Sequence, residues 1–144
     1  MGDSTVAPRR WFLLVLGFVA CVTWSCVRAD RADPEATARY VRQFISTIES
    51  RVVPPEVTKL KTDSTGSRGC SIDRRWSFVT PWSRARYLSW VKTQLSPSYG
   101  AALESPDQLT FSRYERGDTQ SVVVETAQAG GSVQVTVRLC VLPD

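Results

Sequence analysis

The chain has 144 residues, a formal net charge of +4 at pH 7 and 42% hydrophobic residues, and it contains no histidine. This length suffices for one domain with one modest hydrophobic core and is too short for two. Without histidine, these residues cannot form a Ser-His-Asp triad, a Cys-His pair or a histidine-ligated metal site. We therefore expect no catalytic residues, no metal site and no cofactor, and a protein that is not an enzyme.

The first thirty residues have the pattern of an export segment. Arg9 and Arg10 precede an apolar run over residues 11–27, and a charged segment begins shortly afterwards. A basic start, an apolar middle and small residues before the cleavage site are the features of a secretory signal. We therefore predict a signal peptide over residues 1–29, followed by a single extracytoplasmic α+β domain at 30–144.

The expected cleavage site lies between Ala29 and Asp30. Val27 and Ala29 place small residues three and one positions before the cut, which is the pattern that signal peptidases recognise. Cleavage there would release the domain as a periplasmic or secreted protein.

In two alternatives the export segment becomes an attachment to the membrane. The run 11–27 holds 17 residues, and a helix of that length spans roughly 26 Å against a hydrocarbon core of roughly 30 Å. If it is retained, the basic pair before it places the domain outside, as a single-pass anchored protein. The second alternative is lipidation at Cys21, because Phe18-Val19-Ala20-Cys21 loosely resembles a bacterial lipobox. The arginine pair with the following Trp11-Phe12-Leu13 also resembles a twin-arginine signal.

Export would lower the charge of the working protein. Three arginines and one aspartate precede residue 30, which leaves a net charge of +2 on the domain; they are Arg9, Arg10, Arg28 and Asp3. A nucleic-acid-binding domain normally concentrates basic residues on one face. Because the remaining charge is small, we expect no nucleic-acid partner.

The cysteines divide into two pairs. Cys21 and Cys26 lie in the export segment, whereas Cys70 and Cys140 are the only cysteines of the domain. In an oxidising compartment such a pair predicts a disulfide, with two separately buried thiols as the alternative. A bridge closing a loop of about 70 residues would stabilise the fold by roughly 4 kcal/mol through loop-closure entropy.

Residues 34–52 have the period of an amphipathic helix. Asp33 can cap its start, and Pro34 suits the first helical position. Apolar residues then recur at steps of three and four, at Tyr40, Val41, Phe44, Ile45, Ile48 and Val52. Pro54-Pro55 ends the pattern. Residues 56–72 show no apolar period and are expected to form a connector.

The middle of the chain predicts one strand and a second helix. Alternation over residues 76–80 indicates a short strand. Thr80-Pro81 then offers a capping residue and a first helical position, and the helix is expected to stop near Ser96-Pro97. Residues 96–107 contain further turn-forming residues and are expected to be a loop.

The last third of the chain predicts three strands, at residues 108–115, 119–127 and 132–142. In the last strand, alternate residues from Val133 to Val141 are apolar and point one way, and Cys140 lies on the opposite, polar side. Two turns join them, Arg116-Gly117-Asp118 and Ala129-Gly130-Gly131. The first turn matches an integrin-binding tripeptide, but its residue types are those that a hairpin turn needs. Together the elements predict an α+β fold in the order α-β-α-β-β-β. We expect two helices packed on one face of a small, mainly antiparallel sheet of about four strands.

Aromatic residues and arginines are dense between residues 74 and 90. Tryptophan and arginine are favoured at protein interfaces, and we take Arg75, Trp82, Arg86 and Trp90 as the candidate binding surface. The alternative is that the tryptophans are core residues and that the arginines form a solvated face.

These observations favour a non-enzymatic module that binds a protein or a component of the cell envelope. The second hypothesis is a carrier of a small ligand or lipid, with a pocket between the helices and the sheet. An enzyme would need carboxylate, serine or tyrosine chemistry without histidine, and no motif in the sequence indicates one.

Overall fold

The computed structural model describes residues 33–143. The expected signal peptide, its cleavage site at Ala29 and Asp30, and Cys21 all lie outside the described residues. The described part contains, in chain order, α1 (Pro34–Val52), β1 (Thr58–Asp63), β2 (Ile72–Thr80), α2 (Arg84–Tyr99), β3 (Leu103–Ser105), β4 (Gln108–Glu115), β5 (Asp118–Ala129) and β6 (Ser132–Pro143).

The described residues fall into two compact units that divide within α1, between Tyr40 and Val41. In the first unit, Asp33 caps the helix as expected. Its Oδ1 accepts a hydrogen bond from the Glu35 N–H at 3.0 Å, and its carbonyl accepts one from the Thr37 N–H at 3.0 Å. The second unit contains the rest of α1, all of α2 and the six strands.

The strands of the second unit form one antiparallel sheet in the order β1-β2-β6-β5-β4-β3. The β4–β5 and β5–β6 hairpins place sequence neighbours side by side. β2 instead pairs with β6 along its whole length, from Ile72 opposite Val141 to Thr80 opposite Val133. The β4–β5 turn uses positive φ angles at Arg116 and Gly117, 57° and 87°, so the expected turn is present there.

One face of the sheet is covered and the other is open. On the covered face, alternate residues of the long strands are buried together with residues of both helices. This single core contains Ile48, Val52, Trp76, Phe78, Tyr87, Val91, Leu95, Tyr99, Leu109, Phe111, Val122, Val124, Val133, Val135, Val137, Leu139 and Val141. The α+β class is therefore confirmed, and the alternation expected for β6 is present over its whole core face.

The sheet has six strands, so the expectation of about four was wrong. The connector expected at 56–72 contains β1, and the loop expected at 96–107 contains β3. All six residues of β1 are exposed, and β3 has three residues, all exposed. Neither strand could show the hydrophobic alternation that identifies a half-buried strand. The order is α-β-β-α-β-β-β-β rather than α-β-α-β-β-β.

The ends of α2 also differ from expectation. Thr80 is buried as the last residue of β2, and the cap is Ser83, whose Oγ accepts a hydrogen bond from the Arg86 N–H at 3.3 Å. The helix continues through Pro97 to Tyr99. Because proline has no backbone N–H, Pro97 cannot donate the hydrogen bond to the residue four positions before it, and the final turn keeps the cap bond from the Gly100 N–H to the Ser96 carbonyl. No helix in residues 33–143 is long and apolar enough to cross a membrane.

The disulfide between Cys70 and Cys140 is present, with a Cα–Cα distance of 5.4 Å. Cys140 points to the open face of β6, as its place in the alternation predicted. The bridge therefore ties the segment before β2 to that face, and it is consistent with an extracytoplasmic location.

Candidate binding sites

Three of the four residues of the expected binding surface lie together at the start of α2. Arg86 and Trp90 are four residues apart and share one helix face, and Trp82 stands just before the Ser83 cap. The Arg86 guanidinium lies 4.3 Å from the centre of the Trp82 ring. Trp82 and Trp90 meet edge to face, with ring centres 5.6 Å apart. We call Trp82, Arg86 and Trp90 the tryptophan patch.

The tryptophan patch is anchored to the fold on two sides. The Trp82 indole N–H donates to Glu56 Oε2 at 3.1 Å, which fixes the ring against the segment after α1. The Trp90 ring centre lies 6.2 Å from that of buried Tyr87. Both tryptophans are half-buried and pack against the core, whereas Arg86 is exposed. The patch therefore combines rigid aromatic rings with one accessible positive charge.

Arg75, the fourth residue of the expected surface, lies elsewhere. It points to the open face of β2, where its Nε and Nη2 donate to the two carboxylate oxygens of Asp63 at 2.8 and 3.0 Å. This hydrogen bonding holds the pKa of Asp63 below its ordinary value. Strand residues alternate between faces, so the structure separates Arg75 from the tryptophan patch.

A cleft of about 470 Å³ lies at the opposite end of β2 from the tryptophan patch. It exists because β1 stops at Asp63, opposite Arg75, while β2 extends further back to Ile72. The chain between the two strands leaves the sheet here and faces α1. Val41, Ile45, Ile72 and Arg74 are among its lining residues.

Asp73 organises the loop that borders this cleft. Its carboxylate accepts hydrogen bonds from Thr65 Oγ1 at 2.6 Å, from Ser64 Oγ at 2.9 Å and from the Ser67 N–H at 3.1 Å. Burial by itself raises the pKa of Asp73, but these hydrogen bonds outweigh that effect and leave the pKa below its ordinary value. Asp73 therefore remains charged, with its negative charge satisfied by the loop.

Arg74 was not among the residues chosen from the sequence, yet it differs from the other strand arginines. The strands contain four arginines. Three of them have carboxylate partners, in the pairs Arg75–Asp63, Arg113–Glu115 and Arg138–Glu125. Arg74 is half-buried, and within residues 33–143 it has no salt bridge to a carboxylate. Arg74 differs from the other strand arginines only in lacking a carboxylate partner. The spacing of residues in the sequence does not show which arginines are paired.

The region between the helices and the sheet, where a carrier pocket was expected, is filled by core side chains. Trp76, Tyr87, Val91, Leu95 and Phe111 are each 0% exposed there. Edge-to-face contact of Phe78 with Tyr87, at 5.9 Å between ring centres, closes the same region. Within the described residues, open space lies in the cleft beside α1 and not in this part of the core.

The acidic residues of the described part are dispersed. Within residues 33–143, no group of three or more cysteine and acidic side chains is arranged to hold a metal ion. Comparison of the chain with protein-family models, with curated proteins and with solved structures gives no match in any of the three.

Proposed function

We propose that the chain is an extracytoplasmic, non-enzymatic binding module, and that the tryptophan patch contacts an acidic segment of a protein partner in the cell envelope. The observation that carries this proposal is the stack of Arg86 on Trp82, with Trp90 against the same ring. Tryptophan and arginine contribute most to binding at protein interfaces, because they combine a large apolar area with directed hydrogen bonding. The half-buried rings are already ordered, which lowers the entropic cost of association.

The charge around the tryptophan patch favours an acidic partner. The first turn of α2 contains no acidic residue and instead contains Arg84 and Arg86. Positive charges are unfavourable at a helix N-terminus, where the helix dipole is itself positive. Within residues 33–143, neither arginine has a salt bridge to a carboxylate, and Arg84 Nε is buried without a hydrogen-bond partner. A carboxylate supplied by a partner would relieve this local excess of positive charge.

Site-specific photo-crosslinking in the exporting cell tests the proposal. A benzophenone amino acid at Ser89, which is exposed on α2 beside Trp90, should capture one envelope protein. The same probe at Ser112, which is exposed on the open face of β4, should not capture it. Arg86→Ala and Trp90→Ala should each abolish the adduct at Ser89 while the variant remains folded by circular dichroism. Arg138→Ala, an exposed arginine on the open face, is the matched control and should leave the adduct unchanged.

The salt dependence of binding tests whether the contact is electrostatic. Once the partner is identified, its binding to the purified protein should weaken as ionic strength rises, because an exposed cation is screened by salt. Adducts that are identical at both probe positions, or that persist in the Arg86 and Trp90 variants, would contradict the proposal.

A further inference from the structure

The cleft beside α1 is independent of the tryptophan patch, with which it shares no residue. The two lie at opposite ends of β2, which runs from Ile72 to Thr80. At about 3.3 Å per residue, this strand separates them by roughly 26 Å. Whatever the cleft binds, it does so without the residues to which the proposed function is assigned.

The cleft has the size and the mixed lining of a small-molecule site. Its volume of about 470 Å³ lies within the usual range for such sites, roughly 300–1,000 Å³. Val41 and Ile45 of α1 and Ile72 of β2 form an apolar part. Arg74 provides a directed polar group beside them. A few placed polar groups within an apolar lining are what orient a small ligand.

Within residues 33–143, the Arg74 guanidinium has no salt bridge to a carboxylate, although one lies nearby. Asp73 also lines the cleft and keeps its negative charge. Its oxygens accept hydrogen bonds from Ser64, Thr65 and the Ser67 N–H rather than from Arg74. On the open face, the other arginine of β2 is held by both carboxylate oxygens of Asp63. Arg74 alone among the strand arginines keeps its five donors free of a carboxylate within residues 33–143.

We propose that this cleft binds a small organic anion with a short apolar chain, whose carboxylate or phosphate is held by Arg74. The planar guanidinium offers two parallel N–H donors, which match the two oxygens of either group. The apolar chain of the ligand lies against Ile45 and Ile72. The half-buried position of Arg74 strengthens the contact, because a charge removed from bulk water is less screened.

Titration of the exported protein, in the processed form that the cell makes, tests this proposal with defined probes. Hexanoate and hexyl phosphate should bind saturably by calorimetry, and the tighter of the two identifies the headgroup class. Acetate and inorganic phosphate, which lack the chain, should bind about tenfold more weakly, since a few buried methylene groups account for that difference. Neutral hexanol should not compete with either probe.

Three variants locate the site. Arg74→Gln should weaken binding of the preferred probe by about tenfold or more, and Arg74→Lys should weaken it less, because charge remains while the paired hydrogen bonds are lost. Arg138→Gln removes a paired arginine from the open face and should change binding by less than about twofold. Ile45→Thr should weaken hexanoate but not acetate, so it reports on the apolar part even if the Arg74 variants fold poorly.

Several outcomes would overturn the inference. These are no saturable binding of either six-carbon probe, equal binding by inorganic phosphate and hexyl phosphate, and competition by hexanol. Equal losses in the Arg74→Gln and Arg138→Gln variants would do so as well. The crosslinking result at the tryptophan patch is unaffected by each of these outcomes, so the two proposals fail separately.

Discussion

The covered face of the sheet is closed mainly by apolar side chains, with the Arg113–Glu115 pair at one end of β4. The open face carries the other two strand ion pairs, Arg75–Asp63 and Arg138–Glu125, and one disulfide. On the covered face, strand residues such as Trp76, Val124 and Val137 are 0% exposed. On the open face, Arg138 and Glu125 form a salt bridge with side chains that remain 51% and 41% exposed. Burial of apolar area is the main source of folding free energy, while exposed ion pairs contribute little.

The two regions also differ in whether their charged side chains have partners, which bears on where a ligand can bind. Most charged side chains of the open face form ion pairs with one another, as in Arg75–Asp63 and Arg138–Glu125. These side chains therefore need no further partner. Two arginines that have no salt bridge within residues 33–143 instead lie beside aromatic or aliphatic side chains, Arg86 on Trp82 and Arg74 near Ile45. Charges without a local partner next to apolar surface are the ones that a ligand or partner can use.

The largest expected effect comes from opening the covered face. Phe78 is 1% exposed and packs edge to face on Tyr87. Phe78→Ala should lower the free energy of unfolding by about 3–5 kcal/mol, because it removes buried area and leaves a cavity. Urea unfolding followed by tryptophan fluorescence measures this. Arg138→Ala, on the open face, should cost less than about 1 kcal/mol. Similar losses in the two variants would refute the contrast between the faces.

The disulfide is the expected exception on the open face. Replacing both Cys70 and Cys140 with alanine should lower the free energy of unfolding by about 2–4 kcal/mol, because the bridge closes a loop across a sequence separation of 70. Hydrogen exchange should become faster mainly in residues 64–70, since Ser71 keeps two hydrogen bonds to the Val141 carbonyl. Wild-type protein treated with reductant is the control. An unchanged urea midpoint on reduction would contradict this expectation.

A smaller effect is expected at Tyr87, which joins the two helices. Its hydroxyl donates to the carbonyl of Val52 at 2.8 Å, and its side chain is fully buried. Burial raises the pKa of Tyr87 well above its ordinary value of 10.0. Above about pH 10 the unfolded chain therefore loses a proton that the folded chain keeps, and stability should fall as pH rises.

Tyr87→Phe tests this dependence. At pH 7 the variant should lose about 1–2 kcal/mol, because the Val52 carbonyl is left without its partner. Between pH 7 and 10.5 the wild type should lose more stability than the variant, measured from urea midpoints. Tyr99, whose pKa is also raised by burial, remains in both proteins, so part of the alkaline loss should persist. An identical decline in the two proteins would show that Tyr87 does not contribute to it.

Features that depend on local periodicity were predictable from the sequence. The helix over 34–52 was expected with the bounds that the structure shows, because its apolar stripe, its cap and the following prolines all agree. β4 likewise has the expected bounds, and β6 has the expected alternation. The Cys70–Cys140 pair followed from the number of cysteines in the domain.

Features that depend on pairing partners were not predictable in this way. β1 forms a strand by pairing with β2. Its own residues are all exposed, so no hydrophobic alternation in the sequence marks it as a strand. The cap of α2 is Ser83 rather than the expected Thr80, because Thr80 is buried as the end of a core strand. In both cases the deciding interaction is with a distant segment.

The candidate sites show the same division. Sequence composition indicated that residues 74–90 are rich in tryptophan and arginine, and helical spacing brings Arg86 and Trp90 to one face. Arg74 and Arg75 are adjacent in the sequence, yet the pleat of β2 sends them to opposite faces of the sheet. Arg75 reaches Asp63 because β1 pairs with β2 at that position, whereas Arg74 lies where β1 has already ended. By itself, the sequence determined the periodic elements and the chemistry available. The tertiary structure decided which charges are paired, because that depends on the register between strands.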